Sequence, residues 1–158
     1  MDRAILLVED NEDDIALTLR ALNKSHLSND IVVARDGREA LDYLENAKAN
    51  GDRLPVLVLL DLRLPRIDGI EVLRRIRADD ATKDMPVLIM TSSCDEEDRL
   101  RGEQYGAASF MVKPGDYDQL VAAVKKLGLY WAVSDPPTPR QDYTNELGIF
   151  FRYACAPA

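Results

Sequence analysis

Apolar and polar positions follow two different rhythms along this chain. Five short runs of apolar, mostly β-favouring residues stand at positions 4–8 (AILLV), 31–34 (IVVA), 56–60 (VLVLL), 87–90 (VLIM) and 109–112 (SFMV). Continuous runs of this length predict strands buried on both faces. Between them the apolar residues recur at helical spacing. Ile15, Leu19 and Leu22 fall on one helix face, as do Ala40, Leu41 and Leu44, then Ile70, Leu73 and Ile76, then Leu120, Val124 and Leu127. Segment 95–105 is mostly polar, with Leu100 as its main apolar anchor, and Gly106 after it reads as a helix stop. Five strands alternating with five helices predict an α/β fold, (βα)5, in which a five-stranded parallel sheet is covered on both faces. Right-handed crossovers leave few windings, and the doubly wound, flavodoxin-like order 2-1-3-4-5 suits five strands.

The pattern changes after Trp131. AVSDPPTPR places three prolines close together and reads as an extended linker. QDYTNELGIFFRYACAPA follows, and its Tyr143, Ile149, Phe150, Phe151 and Tyr153 make it too apolar for a comfortable disordered tail. The expected organisation is a domain over 2–130 and a proline-containing extension over 131–158. That extension docks on the domain or on a second subunit, unless it is a remnant added in expression.

At 158 residues the chain has room for one domain and an appendage. Folding at this length buries roughly 70% of the unfolded surface, enough for a core without staples. The 28 acidic and 20 basic residues give a net charge of −8, which argues against nucleic acid as a direct partner. Cys94 and Cys155 are far apart and in no metal spacing, so they read as reduced thiols. The opening MDRAILLVEDNEDD turns acidic after five apolar residues, too few for a signal peptide or a membrane span, and no later run is long enough either. The expected location is the cytoplasm, away from any membrane.

In an open parallel sheet, ligands bind beyond the carboxyl ends of the strands. Glu9 and Asp10 follow the first apolar run, Asp61 the third, Thr91 the fourth, and Lys113 with Pro114 the fifth. The second run, expected at an edge, offers no such group. Solvated strand ends account for any one of these residues, but not for five of complementary chemistry on one rim. Asp61 ends the most apolar stretch of the sequence, in LVLLDLRLPRIDG, so its carboxylate is expected on a rigid support at the sheet's centre. Like charges ~4 Å apart repel by about 4 kcal/mol in a surface-like dielectric. Three carboxylates on adjacent strands therefore predict a cation among them, and oxygen-only ligands point to magnesium rather than zinc. A carboxylate, a metal, a hydroxyl and an ammonium suit phosphoryl transfer to an aspartate. In that reading Asp61 is the nucleophile, magnesium and Lys113 neutralise the oxygens of the transferring group, and Thr91 donates a hydrogen bond to the product. The added charge then draws Thr91 and Lys113 inward and pulls on the loops that carry them.

These residues resemble the receiver domain of bacterial two-component response regulators. The resemblance runs over about residues 2–129 and rests on ILLVEDN (Glu9, Asp10), LLDLRLPRIDG (Asp61, Pro65, Gly69), IMTSS (Thr91) and FMVKP (Lys113, Pro114), in that order. It implies that Asp61 accepts a phosphoryl group from a phosphohistidine on a partner histidine kinase. It implies a phosphoacceptor rather than an enzyme, catalysing only its own phosphorylation and dephosphorylation. Magnesium would be bound by the Asp10 and Asp61 carboxylates and the backbone carbonyl of Arg63, with Glu9 acting through water. A salt bridge between Lys113 and Asp61 and a cis bond before Pro114 are also implied. Phe110 stands at the family's aromatic switch position; it lacks a hydroxyl, so any switching works by packing alone, and a plain core aromatic is the other reading. Arg63 and Ser93 occupy positions where the family varies its dephosphorylation rate. The short stretch beyond the domain leaves no room for a DNA-binding module, so a stand-alone regulator acting on a downstream protein is expected. KKLGLYW with its proline-bearing tail resembles the small regulators paired with bacterial phytochrome kinases, which implies a phytochrome partner and a homodimer.

Three other readings compete. A magnesium-dependent phosphatase with an aspartyl-phosphate intermediate has a similar site but needs a second acid two positions after the nucleophile, where Arg63 stands. A flavin-binding module needs a Ser/Thr/Gly-rich phosphate loop after Val8, where two acids stand. A degenerate receiver is disfavoured because every site residue is present. Among the remaining polar residues, His26 reads as a solvated loop residue. Asp13 and Asp14 read as helix N-terminal charges favoured by the dipole, and Asp68 and Gly69 as shapers of the turn into the third helix.

Overall fold

A computed structural model describes residues 4–24, 29–92, 95–107, 109–113 and 122, with 109–112 given by their backbone. The strands β1 (Ile5–Val8), β2 (Ile31–Ala34), β3 (Leu57–Leu60), β4 (Val87–Thr91) and β5 (Ser109–Val112) form one sheet in the order β2-β1-β3-β4-β5. Every pairing is parallel. Both the class and the winding expected from the apolar runs are therefore found. The helix expected around Leu120, Val124 and Leu127 and the extension over 131–158 lie outside the described residues. So do His26, Ser93, Cys94 and Pro114 with the peptide bond before it.

Between the strands run α1 (Glu12–Lys24), α2 (Gly37–Asn50), α3 (Gly69–Ala78) and α4 (Glu96–Gln104). Each starts at a short polar residue whose side-chain oxygen accepts a backbone N–H, satisfying one donor that the helix itself leaves open. Asn11 accepts from Asp14, Asp36 from Glu39, Asp68 from Glu71 and Asp95 from Glu97. The sheet is apolar on both faces. Leu7, Leu59, Leu88 and Met90 pack with Ile15, Ala21 and Leu22 of α1 on one side. Leu6, Val58, Leu60, Val87 and Ile89 pack with Ala40 and Leu44 of α2 and Ile70, Val72, Leu73 and Ile76 of α3 on the other. Each such side chain contributes about 1.5–3 kcal/mol by leaving water, so β3, buried along its whole length, is a firm support for whatever follows it.

The register decides what that is. Val8 pairs with Leu60 across β1 and β3, and Thr91 with Val112 across β4 and β5. The residues after Val8, Leu60 and Val112 therefore emerge on the same rim. Beyond the ladder, the Asp61 N–H still donates to the Val8 carbonyl at 3.0 Å, and the Glu9 N–H to the Ala34 carbonyl at 2.9 Å.

Candidate functional site

At this rim Glu9 and Asp61 are buried at 2% and 5% exposure, while Asp10 is open to solvent. One carboxylate oxygen from each of the three can be chosen so that all lie within 4.8 Å of one another. Every donor in this group is a carboxylate oxygen, and one member faces water. Hard, oxygen-only donors with room for solvent ligands fit a divalent ion of the magnesium class. Asp61 is oriented from behind. Its Oδ1 accepts the Arg63 N–H at 3.2 Å, and its own carbonyl is crowded by Gly69, where an added Cβ would lie 2.2 Å from that oxygen.

Lys113, the residue after β5, reaches back across the site. Its Nζ donates to Asp61 Oδ2 at 3.0 Å, to Glu9, and to Asp14 Oδ2 at 3.0 Å. The side chain is only 9% exposed. Burial works against its charge, but the bonds to Glu9, Asp14 and Asp61 overcome it and hold the ammonium pKa above the usual lysine value. Burial lifts the Glu9 carboxyl to about 7, against the Lys113 hydrogen bond and with the Asp61 charge adding to the rise. The repulsion expected among the three acids is thus met in part by the protein's own ammonium, through the Lys113–Asp61 salt bridge that the resemblance implied and a further bond to Glu9. It is also eased by the exposure of Asp10.

Thr91 ends β4 fully buried, and its carbonyl accepts the Lys113 N–H, tying the two residues together through the backbone. Phe110 lies in β5 opposite Ile89, and only its backbone is described. Arg63 turns its guanidinium away from the carboxylates to Asp98 of α4, at 3.1 Å. A cation occupies the position where the phosphatase reading needs an acid. Asp68, expected to shape the turn into this helix, is the N-cap of α3 and accepts the Glu71 N–H. Asp14 departs from expectation: it is not merely a charge at a helix N-terminus but a direct partner of Lys113, 99 residues away. The N-terminal acidity of α1 gave no sign of this, because Glu12 and Asp13 satisfy the same dipole argument.

Comparison with known proteins agrees with the geometry. The family model of the response regulator receiver domain matches residues 5–125. The structure of the bacteriophytochrome response regulator AtBRR is similar, with 45% identity over 85% of this chain and 99% of that one, at a TM-score of 0.71. The response regulator Rcp1 of Synechocystis sp. is 31% identical over 82% of this chain and 88% of its own length. The Mn(2+)-bound structure of Rcp1 superposes with a TM-score of 0.73 over 87% of this chain and 100% of that one, at 29% identity. The phosphorylated cyanobacterial phytochrome response regulator RcpA superposes with a TM-score of 0.74, at 36% identity, over 87% of this chain and 100% of that one. Among the described residues no helix is long and apolar enough to cross a membrane.

Proposed function

The chain belongs to the response regulator receiver family, and we propose that it takes a phosphoryl group onto Asp61 from the phosphohistidine of a histidine kinase. The observation that carries this reading is the convergence of a buried Asp61 carboxylate, the acidic trio and the Lys113 ammonium on one rim. An Asp61 oxygen attacks phosphorus; the P–N bond to the imidazole breaks, its electron pair returns to nitrogen, and that nitrogen takes a proton. Asp10, Asp61 and the Arg63 carbonyl would hold magnesium, with Glu9 acting through water. Bound there, the ion supplies charge neutralisation at the phosphoryl oxygens. Lys113 lies within reach of both Asp61 and the arriving group, so its N–H donors can pass from carboxylate to phosphoryl oxygen without leaving the pocket. Thr91, on the adjacent strand end, donates its hydroxyl to the same group.

The site works on itself and turns over no separate substrate. The similarity to the phytochrome response regulators AtBRR and RcpA supports a phytochrome kinase as the donor; a protein target downstream and the cytoplasm as the compartment complete the proposal. The test is phosphotransfer to the full chain with magnesium, from acetyl phosphate and from candidate kinases, read by intact mass. The wild type is expected to gain one phosphoryl group and Asp61→Asn none. Label that persists on Asp61→Asn would overturn the assignment.

A further inference from the structure

We infer that Asp14 is a positioning residue for phosphoryl acceptance, acting through Lys113; this rests on the function proposed above. An ammonium has three N–H donors, and here they have three carboxylate partners: Glu9, Asp14 and Asp61. Two of these belong to the acidic trio. The third does not: Asp14 stands on α1, beyond that trio, and its bond to Lys113 joins the helix to the end of β5.

Asp14 is well placed for this work. Its N–H donates to Asn11 Oδ1 at 3.0 Å, which fixes the first turn of α1, and the next residue, Ile15, is buried in the core. The carboxylate is therefore carried by a rigid element rather than by a loop. Its side chain is 29% exposed and that of Lys113 is 9% exposed, so the pair is partly shielded from water. The neighbouring acids do otherwise: Glu12 pairs with Arg35, and Asp13 is exposed.

The consequence is mechanical. A lysine side chain has four rotatable bonds, and two partners near each other would leave its head free to swing around them. A third partner on the α1 side defines the ammonium's position against Asp61 before any phosphoryl group arrives. Supporting partners that orient a functional group commonly change rates by roughly 10–100-fold when removed. Asp14 is not one of the three grouped carboxylates at the rim, so its effect on the site is routed through Lys113.

The experiment measures the rate of phosphorylation of the full chain by acetyl phosphate and, in parallel, magnesium affinity by calorimetry. Asp14→Ala is expected to slow acceptance by about tenfold while leaving magnesium affinity within about twofold. Asp14→Asn, which keeps an acceptor oxygen, should recover part of the rate. In a Lys113→Gln background, Asp14→Ala should have no further effect. An Asp14→Ala rate equal to wild type, or an equal loss with and without Lys113, would overturn the inference while leaving Asp61 as the acceptor. No label on the wild type would instead overturn the proposed function, and this inference with it.

Discussion

Burial of Glu9 has a price in protonation that can be read out directly. Its carboxyl is lifted from 4.5 to about 7, chiefly by desolvation and then by the charge of Asp61, even with Lys113 bonded to it. A folded-state value above the unfolded one means that the folded chain keeps a proton which the unfolded chain has already released. The contribution of this group to stability is therefore complete below about pH 4.5 and is lost as pH rises through about 7. In metal-free protein, the urea midpoint of wild type relative to Glu9→Gln should fall across that window. A difference that stays flat from pH 4.5 to 7 would refute it. Magnesium needs the ionised carboxylates, so its affinity should rise over the same window and level off above it. Legibility at this scale was uneven. Glu9, Asp10, Asp61, Thr91 and Lys113 could be named because each follows an apolar run, and a parallel sheet delivers such residues to one edge. Asp14 could not, since its partner is set by how α1 leans on the sheet, and nothing in a local pattern encodes that lean.

The elements differ in how far sequence pattern accounts for them. The strands β1, β3 and β4 are buried along their whole length, and α3 buries Ile70, Leu73 and Ile76 as its spacing predicts, with Val72 added. The edge strand β2 is only half-buried until Ala34, yet its run was just as apolar; its place in the order, not its composition, sets that exposure. α4 is the opposite case. It buries only Gly102, so apolar periodicity could hardly find it. Its ends explain it: Asp95 caps the start, Gly106 at φ 71 closes the end, and Arg77 of α3 donates to the carbonyls of Tyr105 and Gly106. That arginine bond joins elements far apart in sequence and leaves no periodic trace. Between β3 and α3, Gly69 fits so tightly that an added Cβ would lie 2.6 Å from Leu62 Cα as well as against the Asp61 carbonyl. Backbone cannot yield there cheaply. Gly69→Ala is expected to cost about 1–3 kcal/mol in urea unfolding and to slow phosphoryl acceptance, because relief of the clash displaces Asp61. Wild-type stability together with a wild-type acceptance rate would show that the loop gives way without cost.

For the molecule as a whole, the sheet gathers the site on one rim. The net charge of −8 disfavours a nucleic-acid partner on electrostatic grounds. The extension over 131–158 is the natural candidate for self-association. Tyr143, Ile149, Phe150, Phe151 and Tyr153 stand close together in it, and large apolar side chains contribute about 1.5–3 kcal/mol each when removed from water. We therefore predict a homodimer. Light scattering on the full chain should give twice the mass of one chain, and removal of everything after Trp131 should move the equilibrium towards monomer while acetyl phosphate still labels Asp61. A full chain that stays monomeric at high concentration would sink the dimer. A truncated chain that dimerises as well as the full one would place the interface on the domain itself.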